Sequence, residues 1–170
     1  MITISFDLDN LANLVWQRTL YSSDTIEQNP AKPDILPLND TKRDMFNTLL
    51  KQVANVIWMK LARWATADST IEDVFILNFD LTGSDSLYPN QLVYILDEPT
   101  NWTTHTHNAM LTNAIQDTIV SFITYRWMMM KGLSGDPSFA AELQSYQENL
   151  AAIPRAMEYG KRATLTHRNF

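Results

Sequence analysis

His105 and His107, in the segment THTH, are the only histidines that stand close together in the sequence, and histidine is a common metal ligand. A zinc site requires three or four ligands, each held in place by supporting hydrogen bonds. No third His or carboxylate stands nearby at a recognisable metal spacing. Alternating histidines in a polar loop are typical of solvated side chains. The sequence therefore predicts no metal site, and a hydrolase that uses one of these histidines ranks last among the functions considered.

Acidic residues are plentiful, and several stand in pairs that could divide the roles of acid and base: Asp7 and Asp9, Asp80 and Asp85, Asp97 and Glu98. Paired carboxylates do this chemistry only where burial moves their pKa values apart, and adjacency in a sequence does not indicate burial. The first pair has a sufficient structural role at a helix start, where carboxylates meet the positive end of the helix dipole. The sequence therefore assigns no catalytic residue.

Motifs for nucleotide, phosphate or nucleophile sites are missing. The chain has no G-x-x-x-x-G-K-[ST], G-x-G-x-x-G or G-x-S-x-G, only four glycines, and no cysteine. A phosphate-binding loop, a thiolate metal site and a cysteine nucleophile are therefore disfavoured, and no cofactor is predicted. A Ser, a His and an Asp brought together by the fold stay open, because such triads are recognised by geometry.

Charge is distributed unevenly along the 170 residues. The net charge is −6, but residues 151–170 carry four basic residues and one acidic residue, which is +3 and leaves −9 on residues 1–150. An acidic body argues against general nucleic-acid binding, which depends on clustered Lys and Arg. The basic end stays a candidate for an anionic partner. Charged residues make up 19% of the chain, against about 25% in typical soluble domains, and this low content suits a protein that works in an assembly.

The first half of the chain predicts a short strand and two helices. The opening residues alternate between apolar and polar side chains, as in a strand. Asp7 then caps a helix that ends near residue 22 and whose apolar residues recur at helical spacing: Leu8, Leu11, Val15 and Trp16. Residues 22–39 contain three prolines and predict a loop. Thr41 and Asp44 resemble a capping box, and a second helix follows up to Trp64.

Residues 74–81 and 91–99 are rich in β-formers and flank turn-forming residues, so they predict a long β-hairpin at about 74–97. A two-stranded hairpin is marginal in water and must pack on helices, on the N-terminal strand or on another subunit. A third helix is predicted from about Asn108 to Lys131. Between residues 119 and 130 it is apolar nearly all round, so it must be central in the core or covered partly by another chain.

A fourth helix is predicted after Asp136, its cap, with Pro137 in the first helical position. Pro154 should kink or end this helix. The fold class is therefore α+β and mostly α: a four-helix bundle-like domain with a long β-hairpin inserted between helices 2 and 3. We expect a single domain over residues 1–160 and a flexible basic tail over residues 161–170.

Neither a membrane span nor a secretion signal is predicted. The richest apolar run contains Arg126 and is shorter than the roughly 20 residues that a span needs. The segment after Met1 lacks the basic start and the long apolar core of a signal peptide. We expect a protein that stays in the cytoplasm in which it is made.

Four segments carry a resemblance to a known class of proteins: VWQRTLY, MFNTLLKQVANVIWMKLARW, AIQDTIVSFITYRWMMMKG and PSFAAELQSYQENLAAIPRAM. Together with the hairpin, their order resembles small virion proteins of tailed bacteriophages, above all the helical head-tail connector, or neck adaptor, proteins that form a ring beneath the portal. The chain is also similar to uncharacterised virion proteins of Bacteroidetes phages and prophages, which share a Trp at the end of the buried helix. The likeness covers about residues 7–160 and is one of layout.

The resemblance implies a non-enzymatic structural subunit that links the portal to the tail. It implies a homo-oligomeric ring, contacts with the portal protein and adjacent neck or tail proteins, and proximity to packaged DNA without specific binding. It places the protein in the virion, assembled in the host bacterial cytoplasm. The expected partner-binding residues lie in the hairpin, the third helix and the C-terminal end: Phe75, Leu77, Phe79, Leu87, Tyr88, Val93, Tyr94, Arg126, Trp127, Arg155, Lys161, Arg162, Arg168 and Phe170.

Two other functions stay open. One is a different virion component, such as a tail-completion or tail-terminator protein. The other is a non-viral small-ligand or regulatory module with a pocket between its helices.

Overall fold

The computed structural model describes residues 1–26, 42–65, 75–79, 90–99, 102 and 104–162. This part of the chain is mostly helical and includes a small antiparallel sheet, so the prediction of a mostly α, α+β fold is confirmed. The elements in chain order are β1 (Ile2–Asp7), α1 (Leu8–Ile26), α2 (Arg43–Leu61), a short 3₁₀ helix (Ala62–Trp64), β2 (Phe75–Leu77), β3 (Gln91–Leu96), α3 (Thr104–Met130) and α4 (Pro137–Arg162).

In the sheet, β3 lies between β1 and β2, and both pairings are antiparallel. The register places Ile2 opposite Leu96 and Phe75 opposite Tyr94. Alternate side chains of β1 are buried, because one face of this edge strand packs on the helices. The central strand β3 is buried at every position from 92 to 96. The N-terminal strand is therefore one of the supports of the paired strands β2 and β3.

A polar junction joins the start of α1 to the start of β3 and to α2. Asp7 caps α1 as predicted, since its Oδ1 accepts a hydrogen bond from the Asn10 amide at 2.8 Å. Asp9 accepts hydrogen bonds from the Arg43 guanidinium at 2.8 Å and from the Asn90 side chain at 3.0 Å. Asn90 has φ = 51°, a left-handed conformation that Asn tolerates better than most residues. One carboxylate thus fixes three elements relative to one another.

The helix α3 lies between the other helices and contacts α1, α2 and α4. Its apolar residues are therefore covered from several sides, as expected for a helix without a one-sided apolar stripe. Trp127, at 0% exposure, is the largest of the fully buried side chains. The other helices of the same chain supply its cover.

This arrangement corrects the expectation that a second chain covers α3 and the β3 strand of the predicted hairpin. The sequence predicts Val93, Tyr94 and Trp127 as partner contacts, but each is fully buried within a single copy. The prediction is wrong because an all-round apolar pattern indicates how much of a helix is covered. It does not indicate which chain covers it.

The turn at residues 131–136 makes α3 and α4 antiparallel neighbours. α3 ends in a Schellman motif, in which the Leu133 amide donates to the Met128 carbonyl at 2.9 Å and the Gly132 amide donates to the Met129 carbonyl at 3.1 Å. Gly132 has φ = 72°, a conformation that glycine adopts without strain. The side-chain contact of Ser121 with Ser145 fixes the level at which the two helices pack.

The helix α4 begins as predicted, with Pro137 in its first position and with Asp136 as its cap. Asp136 Oδ1 accepts a hydrogen bond from the Ser138 amide at 2.9 Å. The helix continues through Pro154 to Arg162, so the prediction that this proline could end it is wrong. Packing of the flanking turns on the core outweighs the one hydrogen bond that a proline removes.

Three other helix boundaries differ from their predictions. α1 continues to Ile26, past the predicted end near residue 22. α2 begins at Arg43, and Lys42 at its cap makes no side-chain capping hydrogen bond, whereas Thr41 of the predicted capping box lies outside the described residues. α3 begins at Thr104, one turn before the predicted start. Local capping signals are weak compared with the packing that extends a helix.

Several predicted features lie outside the described residues. These are the rest of the predicted loop, residues 27–39, and the residues that would join β2 to β3, 80–89, so the length of the hairpin stays a prediction. Lys161 and Arg162 belong to α4 rather than to a separate tail. Residues 163–170, the remainder of the predicted tail, also lie outside.

Because Tyr94 is buried, we expect the free energy of unfolding to fall at alkaline pH. Its buried hydroxyl donates to the Ala54 carbonyl on α2 at 3.1 Å, and burial raises the pKa of Tyr94 well above its usual range. Below the pKa of tyrosine in the unfolded chain, about 10, the phenol is protonated in both states. As the pH rises above that value, the unfolded chain loses a proton that the folded chain retains. The free energy of unfolding therefore falls with rising pH.

We expect Tyr94→Phe to cost about 1 kcal/mol at neutral pH, the usual contribution of one hydrogen bond. The variant should also lose less stability than the wild type above about pH 10. Urea unfolding at neutral and alkaline pH measures both effects. Tyr21→Phe, which changes an exposed tyrosine on α1, is the matched control and should keep the wild-type pH dependence. An identical alkaline slope in Tyr94→Phe and wild type contradicts this account.

Candidate functional site

The structure separates the predicted partner-binding residues. Leu77 and Phe79 are half-buried at and just after β2. Arg126 on α3 is partly buried, and Arg155 on α4 is exposed. The remaining side chains fall outside the part of the chain that can be described and stay predictions: Phe75, Leu87, Tyr88, Lys161, Arg162, Arg168 and Phe170.

His107 is a core residue rather than the solvated loop residue that the sequence predicts. It lies in the first turn of α3, is buried, and packs against Trp102 with 4.8 Å between ring centroids. Trp102 donates its indole N–H to Asn108 Oδ1 at 2.8 Å, so this junction closes the N-terminal end of α3. Over the described ranges, no group of three or more His, Asp or Glu side chains is placed to hold a metal ion.

Large apolar side chains are exposed on the outer side of α1. Trp16 is 41% exposed and Leu20, one helical turn later, is 40% exposed. The sequence predicts Trp16 on the buried face, and this is wrong, because Val15 and Thr19 are the buried residues of those turns. Trp16 follows Val15 directly and is therefore rotated by about 100° around the helix. The one-turn spacing of Trp16 and Leu20 could have indicated a second apolar stripe on this helix. We call these two residues the α1 outer face.

A polar layer lies between the antiparallel helices α3 and α4. Ser121 Oγ and Ser145 Oγ are 3.0 Å apart, and Asn149 donates its side-chain amide to Ser145 Oγ at 3.2 Å. Because the helices are antiparallel, Asp117, one turn before Ser121, lies at the level of Asn149. By the same register, Thr124 lies at the level of Glu142. Polar residues of α3 thus lie opposite polar residues of α4 at successive heights along the helix pair.

An ion pair from α1 meets one end of this polar layer. Arg18 Nε donates to Glu142 Oε1 at 2.6 Å, and Glu142 is only 7% exposed. Its other oxygen, Oε2, and the buried Thr124 Oγ1 have no hydrogen-bond partner among the described residues. A buried carboxylate is costly unless it is paired, so the ion pair with Arg18 offsets the cost of burying Glu142. The sequence offered no signal for this pair, because the two residues are 124 positions apart.

A cleft of about 330 Å³ opens beside the polar layer, between α1, α3 and α4, and is lined by Arg18, Asp117, Val120, Ser121, Ser145 and Asn149. A neighbouring depression of about 470 Å³ shares Arg18, Asp117 and Val120 with it and extends along α1 past Leu14 and Tyr21. The shared residues make the two hollows one continuous groove. Its inner part is polar, and its outer part is bordered by apolar side chains. We call the inner part the polar cleft.

Comparisons with known proteins identify no relative. No protein-family model, no curated protein and no solved structure matches the chain. None of the helices described here combines the length and the hydropathy that a membrane span requires. The α1 outer face and the polar cleft are the two surface features that could support a function.

Removing the charge of Arg18 should destabilise the fold. We expect Arg18→Gln to lower the free energy of unfolding by about 2 kcal/mol at neutral pH, because it leaves a buried carboxylate without its cation. Glu142→Gln in the same chain should recover part of the loss, since it removes the uncompensated charge. Chemical denaturation of the single and double variants measures both effects.

The matched control is Glu158→Gln, which breaks the more exposed ion pair between Glu158 and Arg63. Exposed pairs contribute little, so this variant should lose less than about 1 kcal/mol. If Arg18→Gln and Glu158→Gln lower the free energy of unfolding equally, the burial of Glu142 does not strengthen the contribution of its ion pair.

Proposed function

We propose that the chain is a non-enzymatic structural subunit that associates with further copies of itself. We propose further that the assembly is a ring in the neck of a tailed bacteriophage, where it connects the portal to the tail. The layout of the chain supports the second part, because its order of helices and paired strands resembles that of head-tail connector proteins. The α1 outer face supports the first part.

The observation that carries the proposal is the exposed tryptophan of that face. Tryptophan is the residue most enriched among those that dominate binding energy at protein interfaces. Trp16 exposes 41% of its surface, whereas Trp64, Trp102 and Trp127 are each at most 9% exposed. Because a single copy closes the core around α3, contacts between copies must use apolar residues that remain outside it.

A second copy of this chain is the partner that the composition favours. With 19% charged residues and a net charge of −6, copies repel one another less than highly charged proteins of this size do. Met129 and Met130 are also exposed, at the end of α3, and methionine adapts readily to a partner surface. These residues replace Val93, Tyr94 and Trp127 as proposed contacts between copies.

The proposed contacts with adjoining rings lie in the C-terminal end of the chain and in the hairpin. The basic residues Lys161, Arg162 and Arg168 are proposed to bind acidic surfaces of the portal or of a neighbouring neck protein. Leu87 and Tyr88 are proposed contacts of the hairpin tip. The net charge of −9 on residues 1–150 suits a channel through which DNA passes, because it offers few groups that neutralise phosphate.

Trp16→Ala tests the α1 outer face. We expect the wild type to form oligomers as its concentration rises, and we expect the variant to weaken each contact by about 2 kcal/mol, the loss typical of a dominant interface residue. Sedimentation velocity over the same concentrations measures the difference. The thermal unfolding of the variant should stay close to that of the wild type, because the side chain lies outside the core.

Met59→Ala is the control, since it removes an apolar side chain that is more exposed than Trp16 and that lies on α2 rather than on α1. It should leave the association unchanged. A wild type that remains monomeric at every concentration refutes self-association. Oligomers that appear in electron micrographs without closed rings refute the neck assignment and leave self-association standing.

A further inference from the structure

We propose that the polar cleft is a binding site for a primary ammonium group. The site is formed within one copy and does not require the assembly proposed above. The inference follows from the hydrogen-bond acceptors of the cleft, from its charge, and from a buried carboxylate that is bonded to Arg18 beside it.

The cleft is rich in acceptors. Asn149 uses its amide N–H to donate to Ser145, which leaves its Oδ1 available as an acceptor. The hydroxyl oxygens of Ser121 and Ser145 lie beside it, 3.0 Å apart. The Asp117 carboxylate adds two acceptor oxygens on the exposed side. An ammonium group carries three donors and no acceptor, so it complements this set.

The charge of the cleft selects a cation over an anion. The Arg18 guanidinium is compensated by Glu142 at 2.6 Å. Asp117 has no ion-pair partner in the part of the chain that the structure describes. The three charges therefore sum to −1. A carboxylate or phosphate ligand would be repelled by Asp117, whereas an ammonium would be attracted by it.

Glu142 supplies an independent reason to expect a cation. It does not line the cleft, but it is one turn before Ser145 on α4 and is bonded to Arg18, which does line it. Its Oε2 is buried and has no partner in the described part of the chain, and Thr124 Oγ1 at the same level has none either. Buried polar atoms without a partner are rare in folded proteins. The unpartnered carboxylate oxygen adds negative charge beside Arg18, which favours a cation in the adjoining cleft.

The test is a titration of the full-length protein with n-butylamine at neutral pH, followed by amide chemical shifts in NMR spectra. We expect saturable shifts at residues 117–121 and 145–149. Butan-1-ol has the same length but no charge, and butanoate has the opposite charge, so neither should produce these shifts. The proposal is overturned if the shifts do not saturate or if they spread over all surface carboxylates. It is also overturned if butan-1-ol reproduces them.

Asp117→Asn is the informative variant, because it removes the uncompensated charge and changes an exposed side chain. We expect it to weaken butylamine binding by about twofold to fivefold, the range for a partly exposed ion pair. Glu148→Gln removes the same charge from an exposed position of α4 that does not line the cleft, and it should bind as the wild type does. Equal affinity in Asp117→Asn and wild type contradicts the assignment.

The ammonium can come from a free amine or from a lysine of a second copy. If butylamine disperses oligomers of the wild type in sedimentation experiments, the natural occupant is a lysine of a second copy. If the oligomers persist while the cleft is saturated, the occupant is a free amine. At a concentration at which the wild type is monomeric, Trp16→Ala should bind butylamine as the wild type does, so a failure of the proposed assembly is distinguishable from a failure of the cleft.

Discussion

The burial of α3 by its own chain is the constraint on which the rest of the structure depends. This helix has apolar residues nearly all round, and such a helix is stable in water only when it is covered on most sides. The cover comes from α1, α2 and α4. The Schellman motif at Gly132 turns the chain so that α4 can lie along α3, and the junction at Asp9 holds α1 and α2 in register with the sheet. Each of these local features serves the enclosure of one helix.

Enclosure also explains where the polar groups of α3 lie. Ser121 can be buried because α4 offers Ser145 at the same level, and each hydroxyl then has a partner. Glu142 can be buried because α1 supplies Arg18. The polar layer that results borders the cleft. α1 therefore contributes in three ways: its inner side covers α3, Arg18 neutralises Glu142, and the α1 outer face carries the proposed contact between copies.

The sequence predicted the features that depend on neighbouring residues. Alternation identified β1, the capping side chains Asp7 and Asp136 marked the starts of α1 and α4, and the all-round apolar pattern identified α3 as a buried helix. It could not predict which chain covers α3, because periodicity carries no information about the identity of the neighbour. For the same reason the Arg18–Glu142 pair, which bridges 124 positions, left no local signal. The sequence places Trp16 in the core together with Val15. Consecutive residues are rotated by about 100° around the helix axis, and a short series of apolar residues does not show which of the two faces inward.

Hydrogen exchange of α3 at a concentration at which the protein is monomeric tests the central claim most directly. If one copy encloses this helix, the amides of residues 114–127 should be among the slowest to exchange, with protection close to that expected for global unfolding. Their protection should not require association. Rapid exchange of these amides in the monomer, with protection that appears only in oligomers, would contradict the claim and would return the cover of α3 to a neighbouring chain.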